Sequence, residues 1–526
     1  MFLDFYNMSA CVRGFLASEL STCDDISFDS LVGFVRDHPV CQTLMPHQVD
    51  AVTFMLSRDG GILADDMGLG KTCCSIIRCL IQPEASLPCL IITPAGLRRT
   101  WRDEILRICP TATIEMPDSG DDLDGTRLPQ FTIIPFSRLK SFYQWNALPS
   151  FKVLFVDESQ AFKNNRSFTR NESREAAATH ARGDSVKGHR TALMFEIAKP
   201  IPSIYCLTGT PILSRPRELF NLLKLIRHPL GNSFLRFSKQ FCGGVETRFG
   251  WQADGCTNAV ELRESLKNVV LRRLKVDVLN LPGKETILTR TPLAGEWIAK
   301  YRGAWHSYIT NLKSTKSKAD QRKAFKARHI VSLNLLRQIC SQSKTDYIVD
   351  RIINSDEKMI VFTSVTETLT SISEALTAKG VDHVCYHGAM NESKRHAAVK
   401  HFRGEPACRV FLSNTEAGKT GLTLIEATRV IFMDMVWTPA DHYQAEDRAH
   451  RIGQTRKVTC EYLIAPGTVE DVIYELLASK KKVIDKILGG RAEDDGGVMG
   501  ATIEGDFLTK IISLAKSPEA EQLQIF

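Results

Sequence analysis

Six short apolar runs constrain this chain more than any other feature. They are CLIIT (89–93), VLFV (153–156), IYCL (204–207), MIVF (359–362), VFL (410–412) and VIFM (430–433). Each ends in a polar or glycine-rich loop and is followed by an amphipathic stretch. Runs apolar on both faces belong to buried strands of parallel sheets, because an exposed face would impose polar alternation. Their alternation with helical segments predicts an α/β fold. They fall into two clusters, residues 41–217 and 346–490. The segment between them, 218–345, reads as a helical insertion and linker, with Glu261 to Leu279 (ELRESLKNVVLRRLKVDVL) as one helical run. Residues 1–40 read as an N-terminal segment and 491–526 as a mobile tail with a short helical stretch at 506–515. Asn164 to Gly188 is polar and basic with almost no large apolar residue, which predicts a loop.

A length of 526 residues exceeds what one core organises and suits two α/β lobes. No apolar run reaches the roughly 18 residues of a membrane span. The first twenty residues are interrupted by Asp4, Arg13 and Glu19, unlike a signal peptide. An intracellular protein with no membrane partner is the expectation. The 67 basic and 60 acidic residues leave a net charge of +7, compatible with a polyanionic partner. Fifteen cysteines include no C-x₂-C pair, so their spacing does not indicate zinc. Buried free thiols are the expected state.

The residues from Asp65 to Thr72 (Asp65, Asp66, Met67, Gly68, Leu69, Gly70, Lys71, Thr72) directly follow an apolar run. Glycines there let backbone N–H groups close on phosphate oxygens. Lys71 reaches the outer phosphates, and Thr72 offers a hydroxyl to Mg²⁺. Asp65 stands where the general phosphate-loop pattern has glycine. Asp157 and Glu158 end VLFV, where one carboxylate can face a metal-bound nucleotide and the next can polarise water. Either element alone has an ordinary reading, a Gly-Lys-Thr turn or a solvated acidic pair. Together, at strand ends, they point to nucleotide hydrolysis. Thr208 to Pro211 (TGTP) closes a third strand. In the second cluster, QAEDRAHRIGQ (444–454) places Arg448 and Arg451 three apart, which predicts one helical face. Guanidinium groups there suit neutralisation of a transferring phosphoryl group.

In order, GILADDMGLGKT, VDESQAFKN, LTGTP, TEAGKTGLTLIEA and QAEDRAHRIGQ resemble the motifs of Swi/Snf-type ATPases, DNA translocases of helicase superfamily two. LMPHQVDAV around Gln48, LIITPAGLRRTWRDEI, LLRQICS, KMIVFTS and YHGAMNESKR extend the likeness over residues 41–490. LTGTPILSRPRELF, the stretch Phe241 to Leu279 and LPGK resemble the annealing-helicase branch, fork-remodelling proteins related to bacterial HepA. Asp65 matches this family's loop. Gln160 departs from it, standing where a His is usual, and Lys419 stands where a second Gly is common.

The resemblance implies two RecA-like parallel-sheet lobes with helical insertions, and an ATP- and Mg²⁺-dependent translocase on double-stranded or forked DNA. Gln48 would read adenine, Lys71 and Thr72 the phosphates and Mg²⁺, Asp157 the Mg²⁺ and Glu158 the water. Arg448 and Arg451 would complete the site from the second lobe. DNA phosphates would meet hydroxyls and backbone N–H groups around Thr93, Thr363 and Thr415. Arg98, Arg99 and Arg102 flank the first of these positions, with a solvated helix face as the alternative reading. A nucleosome-remodelling ATPase is the alternative within enzymes. A nucleic-acid-binding scaffold without catalysis is the alternative of another class. In a eukaryote the expected compartment is the nucleus.

Overall fold

The computed structural model describes residues 28–117, 128–143, 150–163, 190–212, 215–247, 250–253, 255–314, 321–418 and 422–488. The expected 164–188 loop, the N-terminal 1–27 and the tail with its 506–515 stretch lie outside them. The chain divides into two units, the first running through Leu279 and the second covering Asn280 to Asp485.

The first unit is built on a seven-stranded sheet, β1 Gly60–Leu63, β2 Cys89–Thr93, β3 Ile114–Glu115, β4 Phe131–Pro135, β5 Val153–Asp157, β6 Ser203–Leu207 and β9 Val270–Leu271. Their order is β3-β4-β2-β5-β6-β1-β9, every pair parallel. A small antiparallel hairpin, β7 Val245–Thr247 and β8 Gly250–Gln252, lies apart from it. The second unit carries β10 Lys284–Arg290, β11 Met359–Thr363, β12 His383–Tyr386, β13 Val410–Asn414, β14 Arg429–Phe432 and β15 Val458–Ile464. These are ordered β10-β15-β14-β11-β13-β12 and again all parallel. Two parallel-sheet lobes with helices are what the apolar runs predict.

All six runs are strands, and β2, β6 and β11 are buried at every residue. Helices such as Lys71–Ile81 and Arg98–Ile108 pack their apolar side chains against the strands of the first lobe. The apolar clusters around Trp101 and Phe155, and around Phe362, Phe432 and Tyr462, are the resulting cores. The thirteen described cysteines are all free, and nine of them are buried.

The division at Leu279 falls inside the 218–345 segment read as a helical insertion and linker. One sequence expectation needs correction: Glu261–Leu279 is not one helix. A helix covers Ala259–Leu266, then Val270–Leu271 extends as β9 beside β1, and Lys275–Val278 is a single further turn. The adjacent β-branched pair Val269-Val270 favours the extended form, and β1 supplies an open edge to pair with. The helical periodicity of the flanks conceals this. At the opposite extreme β10, KETILTR, is mostly exposed and reads poorly as a strand. It is an edge strand, where charged residues discourage pairing with other chains.

Candidate active site

The loop after β1 leads into the helix Lys71–Ile81, with Gly70 as its N-cap. Gly68 and Gly70 have φ of +84° and +88°, which only glycine adopts without strain. A Cβ on Gly70 would also stand 2.3 Å from the Gln48 amide nitrogen. Lys71 Nζ folds over the loop and donates to the carbonyls of Asp65 at 2.6 Å and Asp66 at 3.1 Å. The carbonyl of Leu69 accepts from Gln48 Nε2 at 3.3 Å and lies 3.2 Å from His47 Nε2. Gln48 also accepts the Met45 N–H at 3.0 Å. Gln48, the residue expected to read adenine, is thus seen bracing the loop.

Asp65 does not face the loop's interior. It is 2% exposed and forms a two-pronged pair with Arg273, Nε to Oδ1 at 3.0 Å and Nη2 to Oδ2 at 2.5 Å. Arg273 also reaches Asp50 Oδ2 at 3.4 Å and the His47 carbonyl. Burial together with the Arg273 charge lowers the His47 pKa below its ordinary value. Asp66 N–H donates to Arg273 O, and its carboxylate accepts the Lys275 N–H at 3.1 Å. Strand β9 and the LRRLK run thus hold the loop by both aspartates. Sequence reasoning assigned Arg273 no role. The conspicuous Asp65 was the available signal, since a buried carboxylate requires a cation.

Removing one member of a buried pair costs about 3–5 kcal/mol, because the other is left uncompensated. Arg273→Ala is expected to lower unfolding stability by about 3 kcal/mol and weaken nucleotide binding. Arg273→Lys should restore little, as an ammonium lacks the planar fork. Denaturant unfolding and nucleotide titration of the three proteins measure this.

Asp157 ends β5. Its Oδ2 accepts from Trp101 Nε1 at 2.8 Å and Thr93 Oγ1 at 3.2 Å, and its Oδ1 from Glu158 N–H at 2.9 Å. Burial, reinforced by the Glu158 charge, pushes the Asp157 pKa up to about 6. A carboxylate held there carries excess negative charge that a cation would relieve. Glu158 has φ +47°, an uncommon conformation for this residue type. Its Oε2 accepts from Gln160 Nε2 at 2.6 Å, and Gln160 Oε1 accepts from Thr208 Oγ1 at 2.7 Å. Gln160, the departure from the expected His, therefore bridges the acidic pair to the end of β6. Beside it, a Cβ on Gly209 would lie 2.8 Å from Met67 Cγ and 3.7 Å from Lys71 Nζ. The ends of β1, β5 and β6 converge on one place.

The other expected contacts fare differently. Thr93, Thr363 and Thr415 are at most 2% exposed. Thr93 points to Asp157, Thr363 donates to Asp434 at 2.7 Å, and the Thr415 hydroxyl is enclosed. None of these hydroxyls faces outward, because strand-end side chains here pack against neighbouring carboxylates or the core. Asp434 also accepts from Ser364 N–H at 2.9 Å, Ser341 Oγ at 3.2 Å and Arg337 Nη2 at 3.2 Å. Burial opposes its charge, yet Arg337 and these bonds hold its pKa below the usual carboxylate range. Arg98 donates to Met116 and Pro117 carbonyls, and Arg102 pairs with Asp103 in solvent.

Arg448 and Arg451 do not share a helical face. The helix Pro439–Glu446 stops before them, and Arg448 O leaves the helical pattern to accept Leu424 N–H at 2.9 Å. Arg448 is buried and donates to Gln444 O at 2.8 Å and Leu422 O at 3.1 Å. Arg451 is half-buried and donates to Leu422 O at 3.1 Å. Glu446 pairs with Lys284 at 2.7 Å and accepts from Tyr462 at 2.5 Å, so it is structural. Gln454 closes the motif by donating to the carbonyls of Ile425 and Ala427.

The profile of the SNF2-related domain matches residues 47–182 and 183–345, and that of the helicase conserved C-terminal domain matches 343–453. The SWI/SNF-related matrix-associated actin-dependent regulator of chromatin subfamily A-like protein 1 of Xenopus laevis is 32% identical over 85% of this chain and 44% of its own length. The DNA annealing helicase and endonuclease ZRANB3 of Bos taurus is 29% identical over 91% of this chain and 44% of its own. This chain thus spans less than half the length of either relative. Among solved structures, the Sulfolobus solfataricus SWI2/SNF2 ATPase core in complex with dsDNA aligns over 92% of this chain and 97% of that one, at 23% identity and a TM-score of 0.38.

Proposed function

Because this chain belongs to the SNF2-related family, we propose that it is an ATP-dependent translocase on double-stranded DNA, acting on forked DNA in replication or repair. The observation that carries this reading is the convergence in one lobe of the phosphate loop with Lys71, the Asp157-Glu158 pair and the Thr208-Gly209 turn. A scaffold without catalysis would have no use for that complete set.

ATP binds with its phosphates on the loop N–H groups and the start of the helix at Lys71. Lys71 leaves the Asp65 and Asp66 carbonyls for the outer phosphates. Glu158 polarises the water that attacks the γ-phosphate in line, and Gln160 keeps its carboxylate oriented. Thr72 and Asp157 would hold Mg²⁺, whose charge neutralises the phosphate oxygens. Arg451 is assigned to the transferring phosphoryl group, and Arg448 is the poorer choice because it is more buried and donates to the Gln444 carbonyl besides the Leu422 carbonyl that both use.

Contacts to DNA are assigned to backbone N–H groups and basic side chains at the strand ends, since the three threonine hydroxyls are enclosed. Phosphate contacts do not read sequence but release counterions. Affinity is therefore expected to fall steeply with salt and to differ less than about tenfold between unrelated duplexes. The deciding measurement is hydrolysis stimulated by duplex DNA, forked DNA, nucleosomes and RNA at fixed salt. Strongest stimulation by forked or duplex DNA supports the proposal. A nucleosome requirement would favour the remodelling alternative, which uses the same motor. Among the described residues no helix is long and apolar enough to cross a membrane, and a nuclear location would follow from the DNA role.

A further inference from the structure

Three donors of different chemistry meet at one edge of the second sheet. Asp382 immediately precedes β12, Cys408 lies two residues before β13, and His401 is in the last turn of the helix Glu392–Gly404. One ligand atom of each lies within 4.8 Å of the other two. His401 Nε2 is 3.0 and 3.2 Å from the two carboxylate oxygens of Asp382. Tetrahedral coordination with bonds of about 2.0–2.3 Å requires ligand atoms about 3.3–3.6 Å apart, close to the spacing of His401 and Asp382, and the Cys408 sulfur would close in from within 4.8 Å.

An ordinary ion pair accounts for Asp382 and His401, whose side chains are 41% and 43% exposed. That pair does not involve the thiol. Cys408 is 0% exposed, yet its sulfur reaches the exposed carboxylate rather than only apolar neighbours. A divalent cation between the three groups would displace the thiol proton to solvent and bind the thiolate. The partly exposed side supplies both an entry path and room for a fourth, water ligand.

We propose that Asp382, His401 and Cys408 bind one zinc ion. A nitrogen, an oxygen and a thiolate sulfur form the borderline-soft set that Zn²⁺ prefers, whereas Mg²⁺ takes oxygen alone. The role inferred for the ion is to stabilise this end of the sheet, with water as its fourth ligand. Both Asp382 and Cys408 lie at the N-terminal ends of their strands, the edge opposite to the strand ends that carry Thr363 and Thr415. Bound zinc would tie the helix end to edge strand β12, which otherwise pairs on one side only.

The test uses the full chain, stripped with a chelator and titrated with Zn²⁺ against a chromophoric competitor, then with Co²⁺ in its place. Wild type is expected to take up one Zn²⁺ with a raised thermal midpoint, and Co²⁺ to give a near-ultraviolet thiolate charge-transfer band. Cys408→Ser should abolish the band, and His401→Gln should weaken zinc binding by about tenfold or more. Because Cys408 is in the core, the exposed variants His401→Gln and Asp382→Asn keep the test independent of folding. DNA-stimulated hydrolysis should remain unchanged in His401→Gln. No cobalt–thiolate band in wild type, a band that survives Cys408→Ser, or wild-type zinc affinity in both exposed variants would overturn the assignment.

Discussion

Glu158→Gln is expected to keep ATP bound while lowering hydrolysis at least about a hundredfold, the scale of a lost general base. The substitution retains size and spares Asp157, Lys71 and the loop. It should not disturb the fold, because an amide oxygen can still accept the Gln160 N–H that Glu158 accepts at 2.6 Å. Glutamine also bears the left-handed backbone at this position as well as glutamate does. Lys71→Ala should behave differently, weakening binding and turnover together, since the ammonium serves the phosphates in ground and transition states alike. Equilibrium nucleotide binding and single-turnover hydrolysis, measured on both variants, separate the two roles. Unchanged turnover in Glu158→Gln would remove it from the chemistry.

For Arg451→Ala the expected loss of DNA-stimulated hydrolysis is larger, about 10³-fold or more, with ATP binding nearly intact. Binding and hydrolysis are expected to separate, because the proposed phosphate loop belongs to the first unit and Arg451 to the second. Burial lowers the Arg451 pKa from its ordinary value, but an arginine remains charged at neutral pH. Arg451→Lys should rescue poorly, since one ammonium cannot reproduce a planar fork across two phosphate oxygens. Arg448→Ala is the informative control. Its side chain donates to Gln444 and Leu422 carbonyls, so its loss should lower lobe stability along with activity. Single-turnover hydrolysis at saturating duplex DNA, beside thermal melts, distinguishes chemistry from folding. Full activity in Arg451→Ala would transfer the assignment to Arg448.

Local chemistry explains what the chain reveals unfolded. An all-apolar β-branched run has few places to go but a buried parallel strand, so the two sheets were legible from six short stretches. Glycines at 68 and 70 announce backbone that no other residue adopts cheaply, and a lysine and threonine beside them are what the proposed phosphate site rests on. The Asp157-Glu158 pair follows from its place at a strand end. All of these depend on neighbours within a few residues.

What only the tertiary structure decided depends on residues far apart along the chain. Arg273 is paired with Asp65 because β9 returns to lie beside β1, and no periodicity in a helix-like run announces that return. The strand-end threonines look available to phosphates in a sequence, but packing turns Thr93 onto Asp157 and Thr363 onto Asp434. Gln160 gains its bridging role only when β5 and β6 pair and bring Thr208 within reach. Asp382, His401 and Cys408 carry no metal-binding spacing and come together because parallel β12 and β13 start at the same edge. Hydrophobic pattern is a local property and survives in the linear chain. Which polar groups face one another is fixed by strand order and register, and a parallel sheet sets those through crossovers of many residues.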